Sequence, residues 1–115
     1  MDQRLNDALA FANYRLTLQT HRQNIQARVE AALLVSFQNA IFRASVELIA
    51  FVGYHATRPT DPLYVDDHTG NVHLIEDKAA FLDALTRAYD AAQALKYQEQ
   101  QKLRSARTTA KIVDL

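Results

Sequence analysis

Residues 77–113, DKAAFLDALTRAYDAAQALKYQEQQKLRSARTTAKIV, decide the fold. Apolar residues recur there at Phe81, Leu82, Leu85, Ala88, Tyr89, Ala92, Leu95, Leu103, Ala106, Ala110 and Val113, and no Gly or Pro interrupts them. Steps of three and four place these residues along one side of a helix. At 1.5 Å per residue such a helix spans roughly 50 Å. It cannot cover its own stripe, so another element must lie along it.

The residues before it supply that element. Asp2 suits an N-cap. Leu5, Leu9, Ala12 and Leu16 form one stripe, and Phe11, Tyr14, Leu18 and Ile25 a second. Val29, Ala32, Leu33 and Phe37 extend the pattern, so a first long helix is expected over about residues 2–38. Its middle, Gln19 to Gln26, is polar; the helix either runs through as an exposed rod or bends there. Gln38-Asn39-Ala40 reads as a turn and Ile41-Phe42-Arg43 as a short extended piece. Ser45 suits a second N-cap, with Glu47 complementing the helix dipole. The segment from there to about Ala56 is apolar on most sides, which predicts a central helix buried on most sides.

Gly53, Pro59, Pro62 and Gly70 are the only Gly and Pro residues. They mark a loop and a turn. Leu63-Tyr64-Val65 and Val72-His73-Leu74-Ile75 are β-type runs about the turn Asp66–Asn71, which predicts a small hairpin over about residues 63–75. Such a hairpin must pack on the helices to be stable. Glu76 or Asp77 then caps the last helix. The expected fold is mainly α: one domain of two long antiparallel helices, a short central apolar helix and a small β-hairpin.

Composition narrows the function. Thirteen basic and thirteen acidic residues cancel, which argues against a dedicated nucleic-acid binder. There is no cysteine, so disulfides, thiol nucleophiles and thiolate metal sites are excluded. Met1-Asp2-Gln3-Arg4 leads into no apolar signal core, and the longest apolar window, Val46 to Val52, is too short for a bilayer. A soluble, cytoplasmic protein is expected. Charge is ordered along the second half: residues 61–90 carry seven acids and two bases, residues 91–115 five bases and two acids. Acid at the start of a helix and base at its end complement the macrodipole.

Three clusters could carry chemistry. Asp66 and Asp67, with His68 and His73 nearby, are oxygen and nitrogen donors for a cation. The turn lacks EF-hand spacing, and a solvated Asx-type turn is the plainer reading. His21 and His55 stand alone, and no nucleophile elbow is present. No enzyme, metal or cofactor is expected. Lys102, Arg104, Arg107 and Lys111 could face phosphates, with Tyr89 and Tyr97 to stack on bases; a solvated helix end is the plainer reading. The long stripes weigh most. Either they close on each other, or part of them continues into a seam with another chain. Leu85, Tyr89, Leu95, Leu103, Arg104 and Arg107 are the candidate interaction surface.

One resemblance goes further. It is carried by Leu5-Asn6-Asp7-Ala8-Leu9 with Phe11-Ala12-Asn13-Tyr14, by Val65-Asp66-Asp67 through Gly70-Asn71, and by Leu74-Ile75-Glu76-Asp77. Phe81, Leu85, Tyr89 and Tyr97 follow, and then Lys102-Leu103-Arg104-Ser105-Ala106-Arg107. The sequence resembles small proteins encoded in structural gene regions of T-even-type tailed phages, marine myoviruses especially. It departs from them at Gln38-Asn39-Ala40, where a Gly-containing turn is expected. The resemblance implies a non-enzymatic virion or head-assembly protein; taken with the long stripes, it predicts association with itself or with other phage structural proteins. It would be found in the host cytoplasm during assembly and in the virion if retained. It assigns no functional residues. The alternative is an adaptor or regulatory module that binds a protein or nucleic acid through its basic C-terminal helix.

Overall fold

The chain begins as a rod and ends as one, with a small folded head between. In a computed structural model the backbone is described for residues 2–113 and the side chains for residues 2–106. The fold is mainly helical, with three helices and two small antiparallel hairpins. Helix α1 spans Gln3–Ala32, strands β1 and β2 span Leu34–Phe37 and Ala40–Arg43, and helix α2 spans Val46–Ala56. Strands β3 and β4 span Tyr64–Asp66 and Val72–Leu74, and helix α3 spans Lys78–Val113. The principal extents are 74 × 26 × 18 Å.

Each helix starts on a side-chain cap. Asp2 accepts from the Arg4 amide at 3.1 Å, Ser45 from Leu48 at 3.1 Å and Asp77 from Ala80 at 3.0 Å. These bonds satisfy amides that no helical carbonyl can reach.

The first helix does not run to residue 38. It stops at Ala32, and Leu34–Phe37 pairs with Ala40–Arg43 as a hairpin that the helical reading absorbed. The reason is a double pattern. Leu33 and Phe37 are four apart, which fits a helix, but Val35 and Phe37 also alternate as a strand does. Val35 and Phe37 turn inward with Phe42 and Ala40, while Leu34, Ser36, Ile41 and Arg43 face out. Gln38 and Asn39 make the two-residue turn, both at positive φ (48° and 61°). That geometry matches strand twist and usually recruits Gly or Asn.

The second correction concerns α2. Only Val52 is fully buried; Val46, Phe51 and Tyr54 are exposed. The head is too thin to cover a helix on every side, so α2 lays one face on α3 and leaves the other open.

The core fills the head. Phe42, Phe81, Leu63, Leu85 and Val52 are its largest fully buried side chains. Phe42 meets the Phe81 ring edge-on, and Phe37 meets it at a tilt, both with centroids 4.9 Å apart. The hairpins are stitched to each other. The His68 amide donates to Ile41 O at 2.6 Å. The Gln38 amide donates to Leu74 O and accepts from the Glu76 amide, both at 3.0 Å. Arg43 makes a two-pronged pair with Glu30 at 3.1 Å, which ties β2 to the last turn of α1 and lowers the Glu30 pKa. Beyond the head, α1 meets α3 at Arg28–Glu99 (3.4 Å) and around Ile25, which faces Leu103 across a shallow groove.

Candidate functional site

The six residues singled out on α3 divide. Leu85 is fully buried in the core of the head, so it holds the fold and meets no partner. Tyr89 packs on that core, and its hydroxyl accepts from Gln93 at 3.0 Å. Leu95 and Leu103 are half-buried. Leu103 and Arg104 line the groove shared with Arg22 and Ile25 of α1. Arg104 is exposed, and the side chain of Arg107 lies outside the described residues. The apolar stripe of α3 is therefore largely engaged by the head and by α1.

The acidic turn is built as a knot. Asp67 accepts from the Thr69 amide at 2.8 Å, the Thr69 hydroxyl at 2.7 Å and the Asn71 amide at 3.0 Å. Its second oxygen lies 2.7 Å from His73 Nε2. The Thr69 hydroxyl first, then His73 and the two amides, hold the Asp67 carboxyl well below the usual carboxylate range. This set of donors fixes a turn around Gly70, which sits at φ 91°. Among the described residues, no group of three or more His, Asp or Glu side chains could hold a metal ion. His55 stands edge-on to Phe51 and Tyr54, and its Nδ1 is buried without a hydrogen-bond partner. His21 is exposed on α1.

One exposed apolar surface is at the start of α1. Leu5, Leu9, Phe11, Tyr14 and Leu16 are 46–65% exposed. At about 100° per residue, Phe11, Tyr14, Leu18 and Ile25 fall within about 60° of one another. Ile25, buried beside Leu103, turns this face to α3 at its C-terminal end. Leu5, Leu9, Ala12 and Leu16 also fall within about 60°, on the opposite side of the helix. Over the first turns of α1 neither face is covered: Phe11 and Tyr14 are as exposed as Leu5, Leu9 and Leu16. The sequence displayed both stripes. The signal in them was their opposition, since among the described residues α3 is the one other helix of comparable length. A second exposed set, Phe51, Tyr54, Tyr64, Val72 and Leu74, lies on the head.

In comparisons with known proteins, no family model matches the chain, nor does any curated protein or solved structure. Among the described residues, no helix is long and apolar enough to cross a membrane.

Proposed function

We propose that this chain is a non-enzymatic structural or assembly protein, of the tailed-phage kind its sequence resembles, that works through helix-mediated contacts. In this reading α1 and α3 form an antiparallel stem, registered by Arg28 and Glu99, and the head locks its base. The observation that carries it is the outward stripe Leu5, Leu9, Ala12 and Leu16, which no element of the described chain covers. An apolar row on a helix favours burial against a second helix. The polar clusters support the same reading, because Asp67, Gln38 and Arg43 all have their bonding groups engaged in joining parts of the head. Light scattering coupled to size exclusion, over a concentration series, should show mass rising above the 13.0 kDa monomer. Mass spectrometry of virions carrying the gene should find the protein. A monomer at every concentration, together with absence from the virion, would overturn the proposal.

A further inference from the structure

We infer that one rim of the α1–α3 stem, built on Arg15, Arg22 and Arg104, binds the phosphate backbone of double-stranded DNA without reading its sequence. The inference goes beyond the helix-association reading and does not depend on it. Residues 8–29 and 91–113, which run through the stem, carry eight bases and one acid, Glu99. Residues 30–90, which hold the head, carry four bases and nine acids. The neutral total is therefore a cancellation between a basic stem and an acidic head. It does not describe the field at either end of so long a molecule, and a polyanion responds to the local surface.

The fold decides which side of the stem is basic. Arg22 of α1 and Arg104 of α3, with Gln100, line the groove in which Ile25 meets Leu103. At about 100° per residue, Arg15 lies within about 20° of Arg22 on α1. On α3, positions 104, 107 and 111, two arginines and a lysine in the sequence, fall within about 60° of one another. The Arg28–Glu99 and Ile25–Leu103 contacts set the register, which brings Arg15 level with the turn of α3 that holds position 111. The one acid sits on the other rim. Glu99 meets Arg28 at 3.4 Å and Lys102 at 3.3 Å, and Arg28 and Arg22 lie about 60° to either side of Ile25. One rim thus collects five bases of two helices, and no carboxylate, along about 10 Å of stem.

The chemistry selects the partner. Four of the five are arginines, whose planar forks take phosphate oxygens two at a time. Duplex DNA offers a row of about six phosphate charges over the same length. The acidic head of a second copy is a poorer match, because it spends its acids at home. Glu30 pairs with Arg43, Asp61 with Arg58 and Asp83 with Arg87, while Asp67 and Asp77 hold backbone amides. A lipid surface would need an apolar row beside the bases. Beside Arg22 and Arg104 the apolar residues are Ile25 and Leu103, and these are turned to each other.

Fluorescence anisotropy of a labelled DNA duplex, titrated with the full chain at several salt concentrations, tests this. Binding is expected at low salt and should be equal for duplexes of unrelated sequence. It should weaken about a hundredfold between about 50 and 200 mM salt, as roughly four neutralised phosphates require. Arg22→Gln and Arg104→Gln should each weaken binding and make the salt slope shallower by about one. Arg87→Gln removes the same single charge from the head, where the guanidinium pairs with Asp83, and should leave binding unchanged. All three positions are exposed, so helix content by circular dichroism should not change. No binding at the lowest salt would overturn the inference. An equal loss in Arg87→Gln would overturn it too, since net charge and not this rim would then be responsible. Tighter binding to vesicles of phosphatidylserine and phosphatidylcholine in equal parts than to DNA would overturn it in favour of a membrane surface. Mass that doubles at low salt, with no DNA bound, would overturn it in favour of a second copy's head. The helix-association reading is judged apart from all of these, by mass at high salt without DNA.

Discussion

Gln38 is a residue in a conformation its type rarely adopts, with φ of 48°. Such a position costs on the order of 1 kcal/mol or more for a residue with a side chain. What offsets the cost is the side-chain amide, which bonds Leu74 O and the Glu76 amide and so continues the pairing past the end of β4. Gln38→Ala should therefore destabilise the head by about 1–2 kcal/mol, whereas Gln38→Gly, which loses the same bonds but relieves the backbone, should cost about 1 kcal/mol less than Ala. Urea denaturation of both variants checks the order. Asn39 was legible as a turn residue from its type. The part played by Gln38 was not, because its partners lie 36 and 38 residues along the chain. Asp67 is the opposite case: its turn could be read locally, and only the density of donors around it is new. With the folded pKa depressed, Asp67 stabilises the fold fully above the unfolded carboxylate's pKa of about 4. That contribution declines as pH falls below about 4 and is gone once pH passes the folded pKa. Asp67→Ala should make the acid unfolding curve shallower below about pH 4, measured by circular dichroism. An unchanged slope would show that the knot does not couple to global stability.

The elements differ in how firmly they are held, and the anchors explain the difference. The Lys78 ammonium, at the first turn of α3, donates to the carbonyls of His55 (3.3 Å), Arg58 (2.7 Å) and Asp61. Three donors meet three acceptors at the C-terminal end of α2, where a positive charge also suits the helix dipole. Lys78→Met keeps the stem of the side chain and leaves those carbonyls unpaired. It should cost about 2 kcal/mol, and amides of residues 55–61 should exchange faster while those of β2 stay protected. Along α3 the packing thins. Leu85 is fully buried and Leu103 only half so, so Leu85→Ala should cost about 3–4 kcal/mol and Leu103→Ala about half as much or less. The α3 stripe could be read from its period alone. How deeply each residue of it sinks could not, because burial depends on whether α3 faces a filled head or a single helix. The same ignorance made α2 look buried all round: its composition is apolar, but composition does not say how many neighbours exist to cover it.

The whole molecule has a radius of gyration of 21.2 Å, against roughly 13 Å for a compact domain of this length. The excess is the stem. A folded chain with so elongated a shape buries less of its surface than a globule, and the apolar residues it leaves open lie both on the first turns of α1 and on the head. This arrangement gives shape a diagnostic value that mass alone lacks. A monomer has a longest dimension near 74 Å. A dimer overlapping only through the first four turns of α1 would place the two heads at opposite ends and reach roughly 120 Å. A parallel pair on the same stripe would put the heads side by side and lengthen the particle little. Small-angle scattering on a concentration series therefore tells the surfaces apart. A maximum dimension that grows from about 75 Å to roughly 120 Å as mass doubles would mean contact through the first turns of α1, and Leu9→Arg should then hold it at the shorter value. Mass doubling at near-constant length would mean that the copies meet side by side, through the head's exposed Phe51, Tyr54, Tyr64, Val72 and Leu74 or through parallel helices.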